Sequence, residues 1–503
     1  MSLAVAVLAV GGLVGACSTP ASVTSTHADR PESTSSVPRP GTSVPGTSVP
    51  GTSVPDDGST PSSSDPNGIG DPLFPPLGNP GVDVTSYDVH LDVSKGGAQV
   101  AGNVDMEIRF TEPRSEFTLD LDGPEVTAVT VDGETARFTV EPQELRITLP
   151  TAVSTGDDRL VSVTYTAAPT VSMDFLGVPV GWNPVDGGSW TQNEPDGART
   201  WMPCDDHPSD KANYTFTITV PKGLTAVANG ELVEHRTVGD REVWSWNEPH
   251  PMATYLVQVL TGDYELVEGA GPHGLPLLSA ILRGDRGRMK PYLDVTPSQI
   301  EFFEQWFGPY PFSRYGLAVA PSLNGVAIET QERSLFGADA FSGTLGDREQ
   351  SVLSHELAHQ WFGDAVTPAR WDDVWLNESF ATYGEWMWLD HVGSRSVDDA
   401  AGQALAVRQP GITGRPPLDE MFGALVYDGG AVVLHALRRT VGDEHFFAIL
   451  RRWVADNNGE SRRTSDFISL AEQVSGSDLT AFFHAWLYSP VVPSEYPKSG
   501  ASV

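Results

Sequence analysis

Between residues 73 and 265 apolar and polar side chains alternate along the chain. In "SYDVHLDVS" the residues Tyr87, Val89, Leu91 and Val93 fall on one face, and "EFTLDLDG" and "NYTFTITVP" repeat the scheme between clusters of turn residues. A period of two over such short runs describes half-buried strands, so this stretch is expected to form an antiparallel β domain. From residue 266 to 495 the spacing lengthens to that of helices, with segments expected at 292–307, 348–362, 376–391, 427–441 and 465–475. The fold class that follows is α+β in two domains, an N-terminal β domain and then a mostly helical one.

Two other patterns precede the β domain. Residues 1–17, "MSLAVAVLAVGGLVGAC", are apolar for about fifteen positions, short of the roughly 20 that a spanning helix needs, and they close on small residues before Cys17. This has the form of an export signal. The "VGAC" ending resembles a bacterial lipobox, whose cysteine becomes the lipidated first residue of the mature protein; the other reading is an ordinary signal cleaved after "VGA". No Lys or Arg precedes the apolar run. Residues 18–72 are dominated by Ser, Thr, Pro and Gly, with three consecutive copies of "PGTSV" from Pro40 to Val54. Such a stretch buries too little apolar surface to offset its ordering entropy, and a disordered tether is expected. Residues 496–503 read as a short tail.

Charge and cysteine content narrow the partners. The 503 residues carry 31 Lys and Arg against 66 Asp and Glu, a formal net charge of −35. A chain this acidic repels nucleic acid and anionic lipid headgroups, so a membrane enters only through a lipid anchor. The expected location is the outer face of a bacterial cell membrane, or the exterior if the signal is cleaved in the ordinary way. If Cys17 carries lipid, Cys204 has no partner for an intramolecular disulfide, and stability rests on packing.

The candidate chemistry lies in "SHELAHQWFGDAVTPARWDDVWLNESFATYGE". His355 and His359 stand at i and i+4, so on a helix both imidazoles project from one face and reach one ion, with Glu356 beside it. Glu378 follows His359 after an eighteen-residue gap, inside a second helical run able to pack across the first. Two histidines and one glutamate leave a fourth zinc position open for water, which is the arrangement of a catalytic site. One Zn2+ per chain is expected, with Glu356 as general base and not as a ligand. Glu385, seven residues after Glu378, lies two turns along the same face and is placed to hydrogen-bond a ligating histidine.

These segments resemble the zinc aminopeptidases of the M1 family, gluzincins with an H-E-x-x-H-x18-E arrangement. The similarity continues through "TQNEPDGARTWMPCDDHPSDKANYTFTITVP", "MATYLVQVLTGDY", "FGPYPF" and "VYDGGAVVLHALRRTVGDEHF", in the family's order, over roughly residues 80 to 490. The resemblance implies a thermolysin-like catalytic domain and removal of N-terminal residues from peptides with a free N-terminus. It implies that the Tyr427 hydroxyl stabilises an oxyanion, that Glu329 pairs with the substrate's α-ammonium, and that Gln192 lines the amino-end pocket. The family's amine-recognition loop, usually "GAMEN", is "VAIET" here, with Val326 and Thr330 replacing its glycine and asparagine. That departure keeps open an endopeptidase or other metallohydrolase; a noncatalytic surface-binding lipoprotein of the same fold is the second alternative.

Overall fold

The computed structural model describes residues 68–498 except 95, 170, 174–176 and 324–325. The export signal, Cys17 and the tether as far as residue 67 lie outside the described residues, as do positions 499–503 of the expected tail. Among the described residues the alternating first half forms three sheets. Tyr87, Val89, Leu91 and Val93 are all buried along the strand Val82–Val93, as their spacing requires. That strand lies within an eight-stranded sheet ordered Glu231–Val238, Arg241–Ala253, Lys211–Pro221, Val82–Val93, Val100–Phe110, Asp158–Ala167, Glu125–Val131 and Glu134–Thr135.

Pairing within this sheet is antiparallel with one exception. Val82–Val93 and Lys211–Pro221 run parallel, and Tyr87 stands opposite Tyr214 with the two rings stacked 4.8 Å apart. A parallel neighbour needs a long connection, and here the strands between them supply it. The edge strand Glu231–Val238 is exposed along nearly its whole length and carries Glu234 and Arg236, charges that discourage pairing with a further strand. A five-stranded sheet in the same half contains Gly188–Gln192, whose residues are all buried.

The second half is less purely helical than its spacing suggests. A mixed five-stranded sheet of Tyr264–Ala270, Pro276–Leu282, Leu317–Ala320, Ser334–Gly337 and Ala327–Ile328 accompanies the helices. Leu317–Ala320 is four residues long and wholly buried, so it has neither the alternation nor the length that marks a strand in a sequence. The helices are α1 (Arg286–Phe307), α2 (Asp347–Ala358), α3 (Trp375–His391), α4 (Val397–Val407), α5 (Tyr427–Asn457), α6 (Thr464–Ser475) and α7 (Thr480–Trp486). Five of them match expected segments; α4 and α7 were not anticipated. The segment expected to end at residue 441 continues to Asn457 past a break at Gly442. Helix α3 buries 14 of its 17 residues, so it is an interior element, and any polar group it presents is held away from water.

Three buried polar side chains tie the two halves together. Asp71 Oδ1 accepts from the Leu73 and Phe74 amides, while Oδ2 accepts from the Trp371 amide at 2.8 Å and faces His207 Nε2 at 3.2 Å. Burial pushes the Asp71 carboxyl up, but the His207 contact and these amides outweigh it and hold the group below its ordinary range. The chain is thus locked down at Asp71, before the expected tether boundary at residue 72. Lys211, on the β side, donates from Nζ to Asp364 O at 2.7 Å and Ala365 O at 3.3 Å, and burial pulls its ammonium down to about 7. Arg333, from the second half, donates to Ala228 O at 2.6 Å, Gly230 O at 3.4 Å and Leu278 O at 2.9 Å and lies over the Trp246 ring at 5.2 Å. The expected tail is also engaged at its first residue: Tyr496 stacks on Trp486 and donates to Ala401 O at 2.8 Å.

Candidate metal centre

Helix α2 carries His355 and Glu356, and His359 caps its C-terminal end. One turn apart, the two imidazoles have centroids separated by 4.7 Å and direct Nε2 towards the same carboxylate. That carboxylate is Glu378, in the first turn of α3, whose Oε2 lies 3.3 Å from His355 Nε2 and 3.4 Å from His359 Nε2. The His359 Nδ1 faces Phe362 O at 3.1 Å. A carbonyl can only accept, so Nδ1 carries the proton when the ring is neutral and the Nε2 lone pair points inward. Glu385 approaches the other ring, but its Oε2 stops 3.6 Å from His355 Nδ1, outside hydrogen-bond reach. The contact expected of Glu385 is therefore an ion-pair approach and not a closed hydrogen bond.

The donors compensate one another's charge. Burial pushes the Glu378 carboxyl up, but the charges and hydrogen bonds of His359 and His355 outweigh it and hold it at about 2. Burial likewise opposes a charge on His355, which its contacts with Glu378 and Glu385 nevertheless raise to about 9. Two inward Nε2 atoms and one carboxylate oxygen, all within 4.8 Å of one another, are a donor set that fits zinc with a position left for water. Glu356, also buried, has its carboxyl raised to about 8, first by that burial. A divalent cation held by these donors would act in the opposite direction.

The surrounding groups come from α5 and a hairpin as well as from α3 itself. Tyr427 opens α5, and burial first, then the charge of Glu378, raises its phenol well above 10, so the hydroxyl stays a donor. Ser379, the residue after Glu378, donates from Oγ to Val426 O at 2.8 Å and so joins the ligand-bearing turn of α3 to the start of α5. Gly430 lies against that serine; a Cβ there would sit 1.8 Å from Ser379 Oγ, so no larger residue fits without displacing the α3–α5 contact. Glu329 stands at the tip of the hairpin formed by Ala327–Ile328 and Ser334–Gly337. Thr330 is fully buried and turned inward, donating to Arg333 O at 2.6 Å, so it takes no part in the rim of the site.

A carboxylate cluster adjoins the donor set. Oxygens of Glu194, Glu329 and Glu378 lie within 4.8 Å of one another, and a second grouping joins Glu329 to Glu356 and His359. Burial, then the charges of Glu329 and Glu378, pushes the Glu194 carboxyl well above its ordinary value, and its Oε1 has no hydrogen-bond partner. Carboxylate oxygens gathered this closely in the interior favour a cation among them. Gln192 is placed beside this cluster through the backbone, its Nε2 donating to Glu194 O at 3.0 Å while its Oε1 is unpaired. The sequence reading passed over Glu194, although it lies two residues beyond Gln192 in the same segment, and over Gln360 and Asn377, which flank ligands and bond to Glu329.

Comparison with known proteins places both halves. The model of the peptidase M1 N-terminal domain matches residues 84–256, and that of the peptidase family M1 domain matches residues 292–486. A leucyl aminopeptidase of Saccharolobus solfataricus is 26% identical over 434 residues, which are 82% of this chain and 54% of that protein. The chain thus spans about half the length of the curated relatives it matches. Solved structures match end to end. An M1 zinc metallopeptidase from Deinococcus radiodurans is 31% identical with a TM-score of 0.77, covering 86% of this chain and 99% of its own. A two-domain M1 zinc metallopeptidase variant bound to L-arginine is 32% identical with a TM-score of 0.79, covering 86% and 100%.

Proposed function

Since the chain belongs to peptidase family M1, we propose that it is a zinc aminopeptidase that removes single residues from the free N-terminus of peptides. The observation that carries this reading is the junction of two sites at Glu378. On one side of it the imidazoles of His355 and His359 complete a zinc donor set, and on the other Glu194 and Glu329 complete an anionic pocket for a cation. A peptide whose α-ammonium enters that pocket presents its first peptide bond to the metal centre. When bound, zinc supplies Lewis acidity, polarising a carbonyl and making water acidic enough to ionise near neutrality.

The chain's own residues do the rest. Glu356 accepts the proton of the attacking water and delivers it to the leaving amine. Tyr427 donates its hydroxyl to the oxygen on which negative charge develops. Glu329 and Glu194 pair with the α-ammonium, and the burial of both carboxylates strengthens that pairing by excluding water. Gln192, through its unpaired Oε1, offers a further acceptor beside Glu194.

The test compares kcat/KM for an amino-acid amide, its N-acetylated twin and an internally quenched longer peptide. The aminopeptidase reading expects the acetylated twin and internal bonds to resist cleavage. Hydrolysis of either at a rate comparable with the free amide would replace it with an endopeptidase.

The "VGAC" ending supports a further part of the reading, attachment by lipid on Cys17 to the outer face of a bacterial cell membrane, with residues 18–67 as spacer. Cys17→Ser is expected to move the protein out of the membrane fraction. An unmodified mature N-terminus beginning at Cys17 in the wild type would overturn the anchor.

A further inference from the structure

The carboxylate of Glu329 is held by a neutral donor. Asn377 Nδ2 donates to Glu329 Oε1 at 2.9 Å, and Asn377 is fully buried. Its amide is slotted against Gly363, a residue with φ +126°, where a Cβ would stand 2.2 Å from Asn377 Oδ1. The amide therefore has one place to sit. The backbone of the same hairpin tip is held by another amide: Gln360 Nε2 donates to Glu329 O at 2.9 Å, and Gln360 Oε1 accepts from the Glu332 amide at 2.9 Å. Glu332 adopts φ +63°, a conformation that a glutamate keeps only when its surroundings hold it.

The covalent positions of these two amides give the arrangement its meaning. Gln360 directly follows the ligand His359, and Asn377 directly precedes the ligand Glu378. We infer that Asn377 is a positioning residue that aims Glu329 at the substrate's α-ammonium, and that with Gln360 it fixes the distance from ammonium to metal centre and hence cleavage after the first residue. The inference rests on the aminopeptidase reading above. A neutral amide suits the task because it orients a carboxylate without cancelling its charge; a lysine or arginine in the same place would neutralise the group that must attract the substrate.

The test uses the full zinc-loaded protein and the Asn377→Ala variant. Loss of a hydrogen bond to a charged group corresponds to a factor of roughly 10 or more, so KM for an amino-acid amide is expected to rise about tenfold, with a smaller change in kcat and unchanged zinc content. Asn377→Leu fills the slot without a donor and without an added charge, and is expected to show the same change even where Asn377→Ala fails to fold. Because Asn377 acts through Glu329, adding Asn377→Ala to Glu329→Gln is expected to cost no more than Glu329→Gln alone. Binding of L-leucine to Glu356→Gln protein, followed by calorimetry, gives a readout without turnover and is expected to weaken about tenfold when Asn377→Ala is added.

Additive losses in the double variant, or an unchanged KM and leucine affinity in both single variants, would overturn the positioning role. Failure of the underlying reading looks different: wild type itself would then cleave free and N-acetylated amides alike.

Discussion

The phenol ring of Tyr427 lies parallel to the imidazole of His355, with centroids 5.7 Å apart and planes 6° apart. The stack fixes the ring through a ligand's flat face, leaving the hydroxyl to be set by the start of α5. Tyr427→Phe keeps the stack and removes only the hydroxyl. It is expected to lower kcat by roughly 10²–10³ while KM and zinc content change little. A variant that loses zinc instead would assign Tyr427 to holding the site together.

Glu356 and His359 stand on the same turn of the fold but divide the work. Glu356→Gln is expected to retain near-stoichiometric zinc, measured by atomic absorption, and to lose roughly 10²–10⁴ in turnover. His359→Ala is expected to lose the metal and turnover together. Substantial activity in Glu356→Gln would refute the base assignment.

The close approach at Gly430 predicts a change in stability that no ligand mediates. Gly430→Ala drives a methyl into Ser379 Oγ and is expected to destabilise the protein by about 1–3 kcal/mol, read as a lowered thermal midpoint, and to reduce kcat by displacing Tyr427. Ser379→Gly vacates the space at the cost of its own hydrogen bond, so the double variant is expected to lose less than the sum of the two single losses. A loss equal to that sum would locate the strain elsewhere.

A pH-dependent contact crosses the boundary between the halves at His250. His250 Nδ1 lies 3.0 Å from Glu248 Oε1 and 3.4 Å from Glu332 Oε1, and Arg314 Nε lies 3.2 Å from Glu332 Oε2. Hydrogen bonding to Glu248 and then Glu332 raises His250 from 6.5 to about 9. A raised basic group stabilises fully below its unfolded value and loses that contribution as pH climbs through the folded one, here from 6.5 to about 9. Glu248, raised by burial to about 7, changes in the same direction over a lower window that begins at 4.5. Glu332 is lowered despite its burial, by His250 and Arg314, so its contribution is lost only in acid. The wild type is therefore expected to lose thermal stability between pH 6.5 and about 9 more steeply than His250→Gln. Parallel curves for the two proteins would remove His250 from the account.

What could be read in the sequence was what is local. His355 and His359 are one turn apart, and Tyr87, Val89, Leu91 and Val93 repeat with the period of a strand, so geometry follows directly from spacing. Glu378 was legible because a second helical run carried it. The carboxylate of Glu194 and the amide of Asn377 have no such signature: Asn377 meets Glu329 across 48 residues of chain, and only the packing of α3 against the hairpin tip brings them together. The strands Leu317–Ala320 and Ser334–Gly337 were hidden for the opposite reason, since complete burial erases the alternation by which a strand announces itself.

Arg333 sets a limit on how this protein can be taken apart or rebuilt. Its guanidinium is fully enclosed, brought down by burial to about 10, and held by carbonyl oxygens of both halves, with no carboxylate bonded to it among the described residues. Carbonyls cannot be moved by changing side chains. A β half grafted from a relative must therefore reproduce the backbone path at Ala228 and Gly230, or leave a cation stranded in a dry seam. The catalytic half expressed by itself would expose Arg333 to water together with the hairpin whose tip carries Glu329. The two halves are consequently a single unit of inheritance, joined by backbone geometry more than by surface complementarity, and recombination between family members should succeed at loops such as that joining β-strand Glu231–Val238 to Arg241–Ala253 far more readily than at the domain boundary.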